Sequence, residues 1–360
     1  MIEKGKFSSI MTIMSSRPIL AEVARKANVS VSTASKALTG KGHIAPATRR
    51  AVQLAAEELG YRKNESTKIS SGLIGLITTD YVGRFSLPLL TGSETTLGAS
   101  NHAALLMSSH GKAAVEQRHI DLIASYGVDG LIVAGDTANP RAPLPKSVTQ
   151  GLPTVYTYDP STDPDDCSVV CDNVGAGRQA IEYLISSGRR RIAVVTGSDA
   201  FQASRDRQQG AMDTFRMYGM QPVAVLSDRW SEEWGNRAAV WLTAHHPDLD
   251  AVYCLSDEIA RGMCRGLVAQ GKAVPQDVAV VGHDNWDVFS MSAHPMLTTF
   301  DNNIPLLGKK AARLLLDALK GEPHHGIHTV ECSLIVRESS DPNRHMRLRG
   351  SGSLTGLERY

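Results

Sequence analysis

The stretch that decides the fold runs from Leu20 to Tyr61 and reads LAEVARKANVSVSTASKALTGKGHIAPATRRAVQLAAEELGY. Its apolar residues recur with the spacing of one helix face, which predicts three short helices. The first covers about residues 19–26, the second begins near Val31, and the third begins at Pro46, a residue suited to the first helical position. Small residues at the predicted crossings favour a bundle of helix-turn-helix type.

The second predicted helix presents small polar residues outward. Asn28 lies in the turn before it, because Asn tolerates a left-handed backbone, and Ser30 is the expected N-cap. Alanines would face the bundle, so that Ser32, Ser35 and Lys36 point to solvent. Short hydroxyl side chains and a lysine let a helix approach base edges and phosphates. An ordinary three-helix bundle with a basic surface is the alternative.

Charge is divided unevenly along the chain. Residues 17–68 hold ten Lys or Arg residues and four acidic ones, whereas residues 69–360 hold 26 basic and 32 acidic ones. A small basic unit followed by a large acidic one favours a polyanion-binding head on a different kind of body.

Other sequence features bound the class of protein. The five cysteines show no CxxC spacing and are expected as buried free thiols, with no metal site and no cofactor. No apolar run approaches the ~18 residues that span a bilayer. The first residues also lack the apolar core of a signal peptide. The sequence therefore predicts a cytoplasmic protein that does not enter a membrane.

The segment NVSVSTASKALTGKGHIAPATRRAVQLAAEELGYRKN, residues 28–64, closely resembles the headpiece of the LacI/GalR family of bacterial repressors. That headpiece typically reads GVSxxTVSRVLNG…VSxxTRxxVxxAxxELGYxPN. The resemblance implies that Val31, Ser32 and Lys36 face base edges in the major groove. It also implies contacts to phosphates or neighbouring bases from a further set, namely Ser30, Thr33, Ser35, His43, Thr48 and Asn64.

Two positions depart from the family pattern. Lys36 replaces the usual arginine, which exchanges a fork of donors for a point charge. Ser70 stands where the family has a leucine that wedges into the minor groove, a contact that kinks DNA. Because the first strand is expected almost at once, at Leu73, the sequence leaves open whether residues 64–72 form a hinge helix.

From Leu73 onward, apolar strands alternate with amphipathic helical patterns. The predicted strands, rich in Val, Ile and Leu, cover residues 72–80, 102–109, 129–135, 153–159, 191–197, 222–228, 251–257 and 278–284. Near-continuous apolar strands are typical of parallel sheets covered on both faces. The alternation predicts an α/β body of two doubly wound parallel-sheet subdomains. The family resemblance extends over residues 20–340 and implies a periplasmic-binding-protein-like core.

The predicted domain organisation has five segments. These are a disordered leader (1–17), an all-α helix-turn-helix DNA-binding domain (18–63), a hinge (64–72), an effector-binding and dimerisation domain (73–340) and a flexible tail (341–360). Within the large domain, we predict an N-subdomain of residues 73–165 and 299–327. The C-subdomain is predicted to contain residues 166–298 and 328–340.

Polar residues follow several predicted strands, where open parallel sheets bind ligands. Capping of the next helix is the alternative for each aspartate. The predicted effector contacts are Thr79, Asp80, Phe85, Asp136, Tyr158, Asp159, Arg207, Trp230, Asp257 and Asp284. Arg207, Trp230, Asp257 and Asp284 are carried over from the family. Trp230 could stack on a sugar face or belong to the core. Many acceptors favour a sugar or polyol, although the resemblance also allows nucleobases.

Together these features predict an allosteric repressor, a homodimer that binds palindromic operator DNA under the control of a small, sugar-like effector. The alternative is a solute-binding protein without a DNA-regulatory role, which would leave residues 29–61 unexplained. An enzyme is disfavoured, because the sequence shows no nucleophile–base pair, phosphate loop or paired carboxylates. The sequence does not show whether the effector is an inducer or a corepressor, or whether the protein is a dimer or a tetramer.

Overall fold

The computed structural model describes residues 20–39, 44–59, 61, 71–80, 82–149 and 151–341. The chain divides into two units, one up to residue 70 and one from residue 71 onward. Several predicted features lie outside the described residues, namely the leader, most of the hinge, nearly all of the tail, His43 and Asn64.

The first unit is a bundle of three helices, as its alanine-rich pattern predicted. The helices are α1 (Leu20–Lys26), α2 (Val31–Thr39) and α3 (Pro46–Glu58). The buried side chains of its core are small, and they are Val23, Ala24, Ala34, Ala37, Val52, Ala55 and Ala56. Because alanine ends at Cβ, the helices approach closely and these few residues fill the space between them.

The turn between α1 and α2 carries the two local signals seen in the sequence. Asn28 has a φ of 53°, in the left-handed region that Asn tolerates. The N–H of Val29 donates to the carbonyl of Ala24 at 3.0 Å and closes the turn. The N–H of Thr33 donates to Oγ of Ser30 at 3.1 Å, so Ser30 caps α2 as predicted.

The second unit begins with a sheet whose central strands are mostly buried on both faces. In chain order the elements are β1 (Leu73–Thr78), α4 (Ser86–Gly98), β2 (Ala103–Ser108), α5 (Ala113–Ser125), β3 (Gly130–Ala134), α6 (Lys146–Thr149), β4 (Thr154–Thr157) and β5 (Cys167–Cys171). The central strands are β1, β3, β4 and β5, and all five residues of β3 are buried. Neighbouring strands are parallel throughout, which explains why their sequences are continuous apolar runs.

A second sheet follows. Its elements are α7 (Asn173–Ser186), β6 (Ile192–Thr196), α8 (Gln202–Met217), β7 (Val225–Ser227), α9 (Glu232–His245), β8 (Ala251–Cys254), α10 (Asp257–Ala269), β9 (Ala279–Val281) and α11 (Asp287–Ser290). The strands are parallel in the order β7-β6-β8-β9. The α7–α8 and α9–α10 pairs pack through glycines, which lets their backbones approach closely.

The chain then passes back through both sheets, by β10 (Thr299–Asp301), α12 (Ile304–Leu319), β11 (Gly326–Val330) and β12 (Ser333–Ile335). Strand β11 completes the first sheet, in the order β11-β5-β4-β3-β1-β2, while β10 and β12 pair with each other. Helix α12 packs on α4, where Oγ of Ser93 donates to the carbonyl of Gly308 at 3.2 Å. Three connections therefore join the two halves, after β5, after β10 and after β11.

The structure moves the predicted subdomain boundaries. Strand β5 pairs with β4 and β11, so the first half extends to Cys171 rather than to residue 165. All of β11, to Val330, belongs to the first sheet, beyond the predicted crossing at residue 327. Strand β10, predicted to begin the return of the first half at residue 299, pairs with β12 instead. A short loop rather than a helix separates β4 from β5, so strand–helix alternation could not reveal β5.

Two further observations concern the whole described chain. All five cysteines are buried free thiols, as predicted. Within the described ranges, no helix has the length and apolar character needed to cross a membrane.

Candidate functional site

The outer face of α2 carries the residues predicted to face DNA. Val31 is 48% exposed although it is apolar, and Ser32 and Lys36 are exposed beside it. Thr33 and Ser35 are half-buried on the same helix. Thr48 is half-buried in the first turn of α3. The inner face is formed by buried alanines. Val31, Ser32 and Lys36 point outward as the helical spacing predicted, whereas Ser35, also predicted to point outward, is half-buried.

A cavity of about 180 Å³ lies in the cleft between the two sheets of the body. It lies beyond the carboxyl ends of the strands, where open parallel sheets bind ligands. Residues from both halves line it: Arg84, Phe85, Asp136, Thr137, Ala138, Tyr158, Asn173, Phe201, Ala203, Arg207, Trp230, Ser256, Glu258, Asp284 and Trp286. Six of the ten predicted effector residues are in this set.

Asp284 is the charged centre of the cavity. Its Oδ2 lies 2.5 Å from Nη2 of Arg84, and its Oδ1 lies 3.3 Å from Nη1 of Arg207. Oδ1 also accepts from Nδ2 of Asn302 at 3.1 Å. Burial opposes ionisation, but the two guanidinium groups outweigh it and lower the pKa of Asp284. Arg84 precedes α4 and Arg207 lies on α8, so this carboxylate ties together side chains from both halves.

Arg207 is held in place by neutral acceptors as well as by the ion pair. Its Nε donates to Oδ1 of Asn173 at 2.8 Å, and its Nη1 donates to the carbonyl of Leu255 at 2.7 Å. Burial alone would lower the pKa of Arg207, but the carboxylate of Asp284 raises it. The guanidinium is therefore a fixed, permanently charged donor group at the wall of the cavity.

Aromatic rings line opposite sides of the cavity. Phe85 and Tyr158 meet edge to face with centroids 4.9 Å apart, and Phe201 and Trp230 do so at 6.0 Å. Trp230 lies against Gly197, where a Cβ would be 2.2 Å from Cδ2 of the indole. Trp230 is half-buried and on the cavity wall, so one face of a ring ligand could stack on it.

Tyr158 lines the cavity with a buried side chain. It adopts a φ of 67°. Its hydroxyl makes no hydrogen bond of ordinary geometry among the described residues. Burial is the main reason why the pKa of Tyr158 is raised, so the phenol stays protonated. The thiol of Cys171 and the carboxylate of Asp284 are near this hydroxyl and raise its pKa further.

Four predicted effector residues do not line the cavity. Three of them are acids whose carboxylates accept hydrogen bonds from other groups of the protein. Asp80 accepts from the N–H groups of Phe85 at 2.7 Å and Ser86 at 2.8 Å, besides others in the same loop. Asp159 accepts from the N–H of Thr137 at 3.0 Å. These carboxylates hold the loops that place Phe85 and Thr137 on the cavity wall.

Asp257 has the same kind of role in the second half. Its Oδ2 accepts from the N–H of Trp286 at 2.9 Å, and its Oδ1 accepts from the hydroxyl of Thr299 at 2.5 Å. Burial, with a contribution from Asp284, raises the pKa of Asp257 well above its usual value. The fourth residue, Thr79, donates its N–H to the carbonyl of Ala134 and does not reach the cavity.

Nine lining residues were not predicted from the sequence, and they are Arg84, Thr137, Ala138, Asn173, Phe201, Ala203, Ser256, Glu258 and Trp286. Arg84 contributes most, because its guanidinium lies over the rings of Phe85 at 4.7 Å and Trp286 at 4.4 Å. Arg84 and Trp286 each stand a few residues past a strand-ending aspartate. That nearness is the only signal the sequence offered.

The cavity carries nearly balanced charge. Its acids are Asp136, Glu258 and Asp284, and its bases are Arg84 and Arg207. Burial raises the pKa of Glu258, which disfavours its charged form. Over the described ranges, no group of three or more His, Cys, Asp or Glu side chains is arranged to hold a metal ion. Balanced charge with many donors and acceptors suits a neutral polar ligand.

A helix-turn-helix unit joined to a two-sheet body with a polar cleft defines a class, the ligand-responsive DNA-binding regulators. Two family models match the chain: "Bacterial regulatory proteins, lacI family" over residues 19–64 and "Periplasmic binding protein-like domain" over residues 181–340. The HTH-type transcriptional regulator CelR of Thermobifida fusca is 32% identical over 337 residues, covering 90% of this chain and 98% of CelR. The repressor CytR of Escherichia coli (strain K12) is 29% identical, covering 89% and 95%.

Solved structures agree with this relationship. A CelR–cellobiose complex superposes with a TM-score of 0.64 at 31% identity, covering 90% of this chain and 100% of that one. The lac repressor dimer bound to operator and the anti-inducer ONPF superposes with a TM-score of 0.64 at 22% identity, covering 90% and 99%, and shows the common fold.

The chain belongs to the LacI family of bacterial regulatory proteins. It is a DNA-binding transcriptional regulator with a helix-turn-helix headpiece and a periplasmic-binding-protein-like body, and both predictions are confirmed. The relatives that match nearly the whole chain are regulators, which speaks against an enzyme and against a solute-binding protein without a regulatory role.

Proposed function

We propose that this regulator is a repressor whose operator affinity is set by a small, neutral, sugar-like effector in the cleft. One observation carries the proposal: Asp284 joins Arg84 of the first half to Arg207 of the second. A ligand that binds among these groups favours one state of closure over another, and that difference is what can couple two sites. Coupling is usually roughly 1–3 kcal/mol, or about 5- to 150-fold in affinity.

The chemistry of the cavity supports a sugar. Sugars combine apolar ring faces with many hydroxyl groups, and this cavity combines the rings of Trp230 and Phe85 with charged donors and acceptors. Arg207 and Asp284 are the groups proposed to bind hydroxyls, together with Tyr158 and Asp136 in the lining of the same cavity. The related CelR, solved as a complex with cellobiose, supports the same class of effector.

On the DNA side, the proposed reading surface is the outer face of α2. Val31, Ser32 and Lys36 are exposed there and are proposed to meet base edges. Two headpieces of a homodimer would bind half-sites of a palindromic operator about one helical turn apart. The solved lac repressor dimer on operator DNA supports this arrangement. We place the protein in the cytoplasm, where its DNA is.

Thermal unfolding of the full chain tests the effector class. A panel of sugars, nucleosides and sugar acids, each at high concentration, should include neutral sugars that raise Tm. A ligand at 100 times its Kd adds about 2.7 kcal/mol, or roughly 5 °C for a domain of this size. Arg207→Ala should abolish that shift. Stabilisation by nucleosides alone, or an unchanged shift in Arg207→Ala, would contradict the proposal.

A further inference from the structure

A second cavity adjoins the first on the other side of Arg84. It holds about 410 Å³ and shares with the first cavity the four wall residues Arg84, Phe85, Asp284 and Trp286. The two spaces are therefore neighbours, and what divides them is a partition of side chains. The second cavity extends past α11 toward the start of α12, between the two halves of the body.

The partition is built so that it can open. Arg84 spans it, with its guanidinium 2.5 Å from Asp284 and 4.4 Å from the ring centroid of Trp286. The side chain of Arg84 is 22% exposed, so a rotamer change can withdraw it. Asp284 would then keep Arg207 at 3.3 Å and Nδ2 of Asn302 at 3.1 Å. Withdrawal therefore leaves no buried carboxylate without a partner.

The second cavity has the surface chemistry of a sugar site. Phe85 and Trp286 supply ring faces, and Val288 adds an exposed apolar side chain. Asp287 and Asp301 add carboxylates to the one that Asp284 brings, so acids outnumber the single guanidinium. Carboxylates accept from hydroxyl groups but repel an anionic ligand. A neutral polyhydroxylated ring fits these walls, whereas a sugar acid or a phosphate does not.

We propose that the second cavity is a second sugar subsite, that Arg84 gates the passage to it, and that the effector is a neutral sugar of at least two rings. This inference rests on the proposed sugar effector and adds its size, its charge and the residue that divides its two rings. One ring occupies the cavity centred on Arg207 and Asp284. The next ring extends past the withdrawn Arg84 and stacks near Trp286.

Isothermal titration calorimetry on the full chain tests the proposal with cellobiose, maltose and lactose against glucose and galactose. At least one disaccharide should bind tenfold or more tightly than its component monosaccharides. Val288→Trp fills the second cavity from an exposed position and should weaken that disaccharide at least tenfold. Monosaccharide binding should stay within twofold, which also reports that the variant is folded. Val268→Trp is the matched control, because Val268 is 56% exposed against 58% for Val288 and lies on α10.

The possible failures are distinguishable. Equal binding of disaccharides and monosaccharides would overturn the second subsite and leave the sugar effector standing. The same would follow if Val288→Trp changed disaccharide binding no more than Val268→Trp does. Binding by none of the five sugars would overturn the proposed sugar effector together with the second subsite.

Discussion

Replacing Asp284 by asparagine should destabilise the body by an amount that its burial sets. The change removes a carboxylate that is 9% exposed and leaves Arg207, 7% exposed, with an unbalanced charge. Removing one partner of a buried ion pair costs about 3–5 kcal/mol. Arg207 keeps two neutral acceptors, Asn173 at 2.8 Å and Leu255 at 2.7 Å, which places the expected loss near the lower end, about 3 kcal/mol. For a domain of this size, that corresponds to roughly 6 °C in Tm.

Differential scanning calorimetry of the full chain at neutral pH measures this loss, with several heating rates to separate slow unfolding from equilibrium. Asp228→Asn is the matched control. Asp228 pairs with Arg237 at 2.5 Å, the same distance as the Arg84–Asp284 pair, but its side chain is 37% exposed and that of Arg237 is 51% exposed. An exposed pair contributes about 0–1 kcal/mol, so the control should melt within about 2 °C of the parent. Equal losses in the two variants would show that burial does not determine the contribution of the Asp284 ion pairs.

Three further predictions concern packing, pH and DNA. Gly92→Ala would place a Cβ 1.9 Å from a backbone oxygen of α12, so it should lower the free energy of unfolding by about 2 kcal/mol or more. Gly98→Ala, on the same helix, meets nothing within 4 Å and should raise the free energy of unfolding by about 0.5–1 kcal/mol. Thermal unfolding measures both changes. Burial opposes ionisation of Asp80, but hydrogen bonds from backbone N–H groups outweigh it and lower the pKa of Asp80. The stability that the charged Asp80 contributes is therefore complete above pH 3.8. The loss of stability in Asp80→Asn should shrink as pH falls through the folded-state pKa. Burial raises the pKa of Asp257, so the Tm of Asp257→Asn relative to the parent should rise as pH increases from 3.8 to the folded-state pKa. If relative Tm changed with pH in the same way for Asp80→Asn and Asp257→Asn between about pH 2.5 and 8, both pKa directions would be contradicted. Lys36→Ala should weaken binding to a selected operator by about 1–3 kcal/mol and relax base preference, and equal loss on random DNA in anisotropy titrations would exclude base readout by this residue.

The headpiece was predictable because its signals are local. Asn28 in a left-handed turn, Ser30 as a cap and alanines at helical spacing each act within a few residues. All three helices begin within a residue of the predicted positions, and the first also ends where it was predicted to end. No pairing with a distant part of the chain is needed to form this bundle.

The subdomain boundaries depend on pairing that the sequence does not display. Strand β5 joins the first sheet by bonding to β4 and to β11, which begins 155 residues after β5 ends, at residue 326 against residue 171. Its sequence, Cys167 to Cys171, is too short to reveal which sheet it enters. Local periodicity marks a strand, but its neighbours depend on the path of the whole chain.

The site was half predictable for a related reason. Arg207 and Asp284, which the family resemblance implied as effector contacts, both line the cavity. Strand-ending acids were visible in the sequence, yet Asp80 and Asp257 turn toward backbone N–H groups of loops and not toward the cavity. Loop geometry determines which carboxylates accept hydrogen bonds from backbone N–H groups. The same geometry brings Arg84 into the cavity wall, which the sequence did not predict.

We propose that ligand binding in the cavity around Asp284 and DNA binding by the outer face of α2 are coupled. The most direct measurement is the Kd of the full chain for a DNA duplex selected from a random pool, with and without the sugar that gives the largest thermal shift. We predict that the sugar changes this Kd by about 5- to 150-fold, and that Arg207→Ala binds the duplex normally but loses the change. An operator Kd that a bound sugar leaves unaltered in the parent protein would show that the two sites are not coupled.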